Sequence, residues 1–180
     1  MGKVATPEFE VQRTRLRVEL EAVRAEFHTM VASISEREWT QPSRNTGWTN
    51  GQIVFHILLG FMLVVPLARF LVFFDHLPDL CSRIFAQALN ISTPLFNRIN
   101  AMGPRAGARL LGRAGVIRKF DQVHSAILAR LDRARPADWE ATMYYPTRWD
   151  PRFQTRMDLV ALLRYPIDHL RHHREQLRVT

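Results

Sequence analysis

Apolar residues recur at steps of three and four along four stretches of the chain, a spacing that predicts α-helices rather than strands. In the first stretch they form one stripe: Leu16, Leu20, Val23, Phe27, Met30, Val31 and Ile34. This helix is predicted to begin near Thr6, because Pro7 and Glu8 are typical of a first helical turn. Four helices with a short first and a long middle connection predict an all-α fold, an antiparallel four-helix bundle.

The second stretch, from Ile53 to Phe74, is apolar on nearly every side and follows a capping box in the segment TNGQ. Its length approaches that of a transmembrane span. His56, Pro66 and Arg69 interrupt it, however, and no second span follows. We therefore predict a helix buried at the centre of the bundle and no transmembrane segment, with an interfacial role for its later half left open.

The third helix follows the least regular part of the chain. Residues 76–113 contain Pro78, Pro94 and the pair Gly103-Pro104, which predict short helical pieces broken at those positions. This part is interpreted as an extended connection between the second and third helices. The third helix then presents one apolar face: Ile117, Phe120, His124, Ile127, Leu128 and Leu131.

The fourth helix is predicted to begin after a looser capping box, with Thr155 at the cap and Asp158 three residues later. Its apolar stripe includes two histidines: Leu159, Leu162, Leu163, Pro166, His169, Leu170, His173 and Leu177. Pro166 predicts a kink or a weakened turn. The chain shows neither convincing strand patterns nor internal repeats.

The composition is that of an ordinary globular protein, with 47% hydrophobic and 23% charged residues among 180. That length predicts a single domain, residues 1–180. Cys81 is the only cysteine, which excludes an internal disulfide and favours a reducing compartment. The first twenty residues lack the apolar core of a signal peptide, so we predict a cytoplasmic protein.

The net charge of +8 comes almost wholly from arginine, since Lys3 and Lys119 are the only lysines. Such a charge favours nucleic acid or an anionic surface as a partner, or is simply a solvated arginine-rich surface. The basic residues are spread along the chain without a dense run or interleaved aromatics. Nucleic acid is therefore not the partner that we expect.

The segment YPIDHLRHHREQL contains the clearest candidate chemistry. His169 and His173, four residues apart, share the apolar face of the fourth helix, whereas His172 points away. Two imidazoles one turn apart can bind a divalent metal, although such pairs are more often structural or exposed. His56 faces inward on the second helix, where an unpaired imidazole is costly. Three inward histidines on neighbouring helices favour a metal site of His56, His169 and His173 over core packing.

The other polar candidates are weaker. His124 is expected to support the ligands or to pack in the core rather than to bind metal, and His28 and His76 are assigned no role. Gln176 either orients substrate or a ligand histidine, or is an exposed polar side chain.

Neither a catalytic residue nor a cofactor-binding residue is identified. Asp168 and Glu175 neighbour the histidines but project away on a regular helix. Trp48 and Trp149 are candidates for the walls of a pocket, with simple packing as the alternative.

Three segments, GWTNGQIVFHIL, MYYPTRWDPRFQTRMDLVALL and HLRHHREQL, resemble the DinB-like, YfiT-like family of metal-binding four-helix bundles. The likeness covers roughly Leu16 to Val179, apart from the long connection. It implies that His56, His169 and His173 bind one metal and that the protein is a homodimer.

Three imidazoles leave coordination positions open, which is typical of a catalytic metal site. Zinc is the first choice, with nickel, iron or manganese as alternatives. Members of the family include thiol S-transferases, so the resemblance implies an enzyme that conjugates a low-molecular-weight thiol to a small-molecule electrophile. Arg148 or Arg152 could hold an anionic thiol, an inference from charge alone. A metal-dependent hydrolase and a non-enzymatic bundle that binds a ligand or nucleic acid are the alternatives.

Overall fold

Seven helices and one short β-hairpin make up the part of the chain that the computed structural model describes, residues 7–45 and 47–179. Their order is α1 (Pro7–Ala32), α2 (Glu36–Trp39), α3 (Asn50–Asp75), α4 (Asp79–Ile91), α5 (Thr93–Asp132), α6 (Pro136–Glu140), β1 (Thr142–Tyr144), β2 (Arg156–Asp158) and α7 (Leu159–Arg174). Thr6, the predicted cap of α1, lies outside the described residues. The prediction of a mainly helical protein is confirmed.

Helix α3 lies at the centre of the packing. It contacts α5 and α7 along much of its length, and α1 packs against the same two helices. The predicted apolar stripes of α1 and α7 are buried throughout. An antiparallel four-helix bundle stays a prediction, but these contacts explain why α3 is apolar nearly all round.

The predicted capping box at the start of α3 is confirmed. The Gln52 backbone N–H donates to Thr49 Oγ1 over 3.3 Å, and the Thr49 backbone N–H donates to Gln52 Oε1 over 3.1 Å. This reciprocal pair fixes where the helix begins and therefore which residues face α7.

Within the described residues, α3 is the one helix long and apolar enough to cross a membrane, a test that the core helix of a folded domain also passes. Its first half is buried, including the run Ile53–Leu58. Its last turns expose Phe70 and Phe73. The two halves of α3 therefore have different surroundings.

The connection between α3 and the next core helix is more regular than predicted. Pro94 lies in the first turn of α5, where a missing N–H costs nothing, and α5 continues through the buried Pro104. A break does precede Pro94, since α4 ends at Ile91 and α5 begins at Thr93, but the predicted break at Pro104 is wrong. The interruption lies instead at Gly112, whose φ of 59° favours glycine and which has open space around it.

The start of α7 also differs from the prediction. Asp158, not Thr155, is its cap and accepts the Ala161 backbone N–H over 2.7 Å. The residues before it form β2, which pairs antiparallel with β1, Met143 opposite Met157. Strands of three residues are too short to show an alternating pattern, so the sequence did not predict this hairpin. Helix α7 continues through Pro166.

Candidate metal site

The structure brings the three predicted ligands together. His56 lies in the second turn of α3, and His169 and His173 lie one turn apart on the face of α7 that packs against it. One ring nitrogen from each lies within 4.8 Å of the others. His56 Nε2 and His173 Nε2 are 3.1 Å apart. All three side chains are buried, so the cluster faces the interior.

Gly60, one turn after His56 on α3, makes the room that His169 occupies. A Cβ atom at Gly60 would lie 2.5 Å from His169 Nδ1, closer than real side chains approach. The absence of a side chain there lets α7 bring its imidazole against α3. Sequence reasoning missed Gly60, although an isolated glycine inside an apolar helical pattern is a signal of close packing.

Burial keeps the three imidazoles neutral. It lowers the pKa of His56 to about 3, and the neighbouring His173 acts in the same direction. Burial also holds the pKa of His169 well below its usual range. For His173, burial lowers the pKa while the hydrogen bond with Gln176 opposes the fall. A neutral imidazole is the form that binds a metal, so these residues are ready to act as ligands at neutral pH.

Gln176 orients His173. Its Oε1 accepts from His173 Nδ1 over 3.0 Å and from Asn45 Nδ2 over 3.0 Å. With its proton on Nδ1, His173 turns the lone pair of Nε2 toward His56. Of the two roles considered for Gln176, contact with a histidine predicted to be a ligand is the one that agrees with this hydrogen bond.

The residues present fit a metal ion. Three neutral imidazoles that each place one ring nitrogen within 4.8 Å of the others are a donor set that divalent metals accept. Zinc–nitrogen bonds of about 2.0–2.1 Å in a tetrahedral site place the nitrogens roughly 3.4 Å apart. The 3.1 Å between His56 and His173 is close to that spacing. Three buried histidines could therefore hold one divalent metal.

The cluster lines a cavity of about 520 Å³. Trp48 and Trp149, predicted as walls, both line it, and Trp149 stacks on Phe96 of α5 with ring centroids 4.2 Å apart. Leu59 and Ile99 extend the apolar wall. The first half of α5, predicted as part of an extended connection, thus supplies one side of the candidate site.

An acidic group that the sequence did not predict also lines the cavity. Asp150 accepts from the Tyr165 hydroxyl over 3.1 Å and from the Arg152 backbone N–H over 2.8 Å. Arg152 Nη1 also donates to it over 3.2 Å. Asp168 and Glu175, which were expected to project away, are exposed. The carboxylate in the cavity comes from the loop before α7, where helical spacing gives no information.

The two arginines proposed for the cavity mouth differ. Arg152 lines the cavity. Arg148 does not line it, and its backbone N–H donates to Asn90 Oδ1 over 3.0 Å, which anchors the loop to α4. Charge alone could not separate them, because which one faces inward depends on how this loop folds over α4.

Of the other histidines, His124, His28 and His76 lie away from the cluster, whereas His172 lines the cavity with its ring centroid 4.9 Å from that of His173. His124 Nε2 donates to the Leu20 carbonyl oxygen over 2.8 Å, which makes it a core residue. His28 Nε2 lies 2.9 Å from Asp121 Oδ1. His76 is exposed at the end of α3, and His172 is exposed beside Gln176 Nε2.

A protein-family model described as the DinB superfamily matches residues 19–177. The match spans most of the chain and includes all three histidines of the cluster. No curated protein and no solved structure matches the chain.

Proposed function

The chain belongs to the DinB superfamily, and from this premise we propose that it is a metal-dependent transferase that conjugates a low-molecular-weight thiol to an apolar electrophile. One observation carries the proposal: three buried, neutral imidazoles converge on one wall of a mainly apolar cavity. Its volume of about 520 Å³ lies within the range of small-molecule sites.

In this proposal His56, His169 and His173 hold one divalent ion, zinc before nickel, iron or manganese. When bound, the metal supplies a Lewis acid that lowers the pKa of a thiol, or of water, and so favours its anion near neutral pH. Gln176 keeps His173 in the tautomer that a ligand needs.

The other polar groups of the cavity have assignable tasks. Asp150 is the candidate to accept the proton of the thiol, since its carboxylate lines the same cavity. Arg152 and the Tyr165 hydroxyl hold that carboxylate in place. The stacked pair Phe96 and Trp149 presents a flat apolar wall to the electrophile.

The same proposal includes the antiparallel four-helix bundle. Its helices would be α1, α3, the part of α5 after Gly112, and α7, which are the elements that share the core. In such a bundle, ligands on α3 and α7 project between facing helices, a common location for metal sites.

The first test is elemental analysis of the purified protein beside the triple variant His56→Ala, His169→Ala, His173→Ala. We expect about one metal ion for each wild-type chain and none in the variant. No metal in either protein after incubation with zinc or nickel would make the histidines packing residues.

The second test follows thiol consumption by the zinc-loaded protein, with a panel of cellular thiols and an aromatic halide as the electrophile. We expect conjugation that stops with chelator, returns with zinc and falls at least about tenfold in Asp150→Asn. Failure to consume any thiol would reject the transferase. Hydrolysis of an ester or amide panel without a thiol would identify a hydrolase instead.

A further inference from the structure

The exposed apolar side chains of this protein are concentrated in one part of the chain. Of the 13 large hydrophobic side chains exposed among the described residues, 11 lie between Phe70 and Leu111. The other two, Val11 and Val18, lie on α1. A domain that is otherwise well packed rarely leaves so many apolar groups in water unless they contact something else.

On α4 and α5 these residues follow helical spacing. Leu80, Ile84 and Ile91 lie within a narrow arc of α4, and Ile91 is 79% exposed. On α5 the corresponding row, before the interruption at Gly112, is Leu95, Ile99, Met102 and Leu110. Each helix therefore buries one face against the protein and presents a second apolar row to solvent. We call the two rows the apolar rows.

Arginines run beside the apolar row of α5. Arg98, Arg105 and Arg109 are separated by seven and four residues, so they form a second row that adjoins the first. Residues 76–113 contain five arginines and one aspartate, a net charge of +4 out of the +8 of the chain. Half of the excess positive charge thus lies in about a fifth of the sequence.

Three arginines of this region lack acidic partners, unlike several arginines of the core helices. On α7, Arg164 pairs with Glu19 and Arg174 pairs with Glu26. Across residues 7–45 and 47–179, Arg83, Arg98 and Arg109 have no ion pair. Their charge is therefore available to an external anion.

We infer that α4 and the first half of α5 dock on an anionic lipid surface, with the apolar rows in the lipid interface and the arginines at the headgroups. Apolar rows flanked by cationic side chains are what interfacial helices present to such a surface. Each arginine near the surface adds attraction to anionic lipid, and its long apolar stem can lie along the interface.

A second copy of the chain fits this surface less well. A twofold dimer would bring the same arginine row of two copies together without acids to compensate it. The single aspartate of the segment, Asp79, is already paired with Arg156. Charge complementarity therefore favours lipid.

The docking surface is continuous with the cavity. Ile99 belongs to the apolar row of α5, is 58% exposed, and also lines the cavity that contains the histidine cluster. A protein docked in this way would have the wall of its cavity at the lipid interface. Together with the proposed function, this position favours a lipid-soluble electrophile as the substrate.

The test is co-sedimentation of the full chain with vesicles of phosphatidylglycerol and phosphatidylcholine, and with vesicles of phosphatidylcholine alone. We expect binding to the anionic vesicles that is at least about tenfold tighter than to neutral ones and that weakens as salt rises. The vesicles are the probe, so the result does not depend on metal content or on turnover.

Two variants locate the surface. The apolar variant combines four substitutions in the apolar rows: Ile84→Gln, Ile91→Gln, Leu95→Gln and Met102→Gln. Its control combines Val11→Gln and Val18→Gln on α1. The charge variant combines Arg83→Gln, Arg98→Gln and Arg109→Gln. Its control removes three exposed arginines elsewhere: Arg37→Gln, Arg118→Gln and Arg133→Gln. We expect each test variant to lose at least about tenfold in vesicle affinity and both controls to bind like the wild type.

Three results would overturn the inference. The first is the absence of binding to either kind of vesicle at low salt. The second is binding that the test variants and their controls lose equally. The third is a wild-type dimer, seen by analytical ultracentrifugation without lipid, that the apolar variant converts to a monomer while no vesicle is bound. Because all replaced side chains are exposed, far-UV circular dichroism should show unchanged helix content in every variant.

Discussion

Two regions of this protein bury histidine in different ways. His124, on α5, donates one hydrogen bond to the Leu20 carbonyl oxygen and stacks beside Phe120. The cluster between α3 and α7 places three imidazoles against each other. In both regions burial lowers the histidine pKa, so burial does not distinguish a core histidine from a ligand. Convergence of several nitrogens on an open cavity does distinguish them.

The largest expected effect is that of His56→Leu. The variant should bind no metal, while its metal-free form should be at least as stable as the wild type, because a buried polar group is replaced by an apolar one. At a metal concentration a thousand times Kd, chelator should lower the unfolding free energy of the wild type by about 4 kcal/mol and leave the variant unchanged. Thermal unfolding with and without chelator measures both.

His124→Leu is the control for that experiment. It should keep one metal ion for each chain and lose about 1 kcal/mol of stability with the hydrogen bond to Leu20. Equal chelator responses in wild type and His56→Leu would contradict a role of His56 as a metal ligand. Loss of metal in His124→Leu would contradict a role of His124 as a core residue only.

Gly60→Ala comes next in size. Its Cβ would displace the ring of His169, so we expect about a hundredfold weaker metal binding and a stability loss of about 1–3 kcal/mol from overpacking. Gly103→Ala is the matched control, since its Cβ would lie 3.5 Å from Leu59 Cδ1, an ordinary contact. Metal titration of both variants by calorimetry should separate them, and wild-type affinity in Gly60→Ala would contradict the close approach of α7.

Gln176→Leu should have a smaller effect. The variant loses the hydrogen bond that sets the tautomer of His173, which predicts a tenfold to hundredfold loss of metal affinity, on the order of 1.4–2.8 kcal/mol. Gln176→Glu keeps an acceptor at that position and should retain most of the affinity. The same loss in both variants would mean that Gln176 only packs.

The last expected effect is a pH dependence of stability in the metal-free protein, to which both regions contribute. The folded pKa of His56 is about 3, below its ordinary value of 6.5, so the unfolded chain binds more protons below pH 6.5. The contribution of His56 to the free energy of unfolding is therefore fully present above that pH and is lost as the pH falls toward 3. In chelator, His56 alone should cost the wild type about 2 kcal/mol between pH 8 and pH 5. Urea unfolding should show that His56→Leu lacks the His56 contribution to this loss of stability between pH 8 and pH 5. His124→Leu should lack the contribution of His124, which has the same sign.

The helices could be predicted from the sequence where the information is local. The apolar stripes of α1 and α7 and the capping box at Thr49 are buried or bonded as expected, because each depends on residues within a few turns. The break in α5 could not be placed, since Pro104 and Gly112 both signal one. Only the packing shows that Pro104 is buried in a continuing helix while Gly112 faces open space.

The candidate site likewise contains residues that the sequence predicted and residues that it could not predict. Helical spacing and burial were enough to predict that the three histidines would come together. Gly60 and Asp150 could not be predicted, because their importance arises from the approach of α7 and from the path of a loop without regular structure. The cavity wall formed by Phe96 was hidden for the same reason, since α5 was expected to be broken.

The distance along the chain between the histidines of the cluster has a kinetic consequence. His56 and His173 approach to 3.1 Å although 117 positions separate them. A contact between such distant segments closes late in folding, after the local helices have formed. An ion held there would stabilise the native state more than the folding transition state, so it should slow unfolding and leave the folding rate nearly unchanged. The metal would then extend the lifetime of the folded protein, whatever reaction it serves.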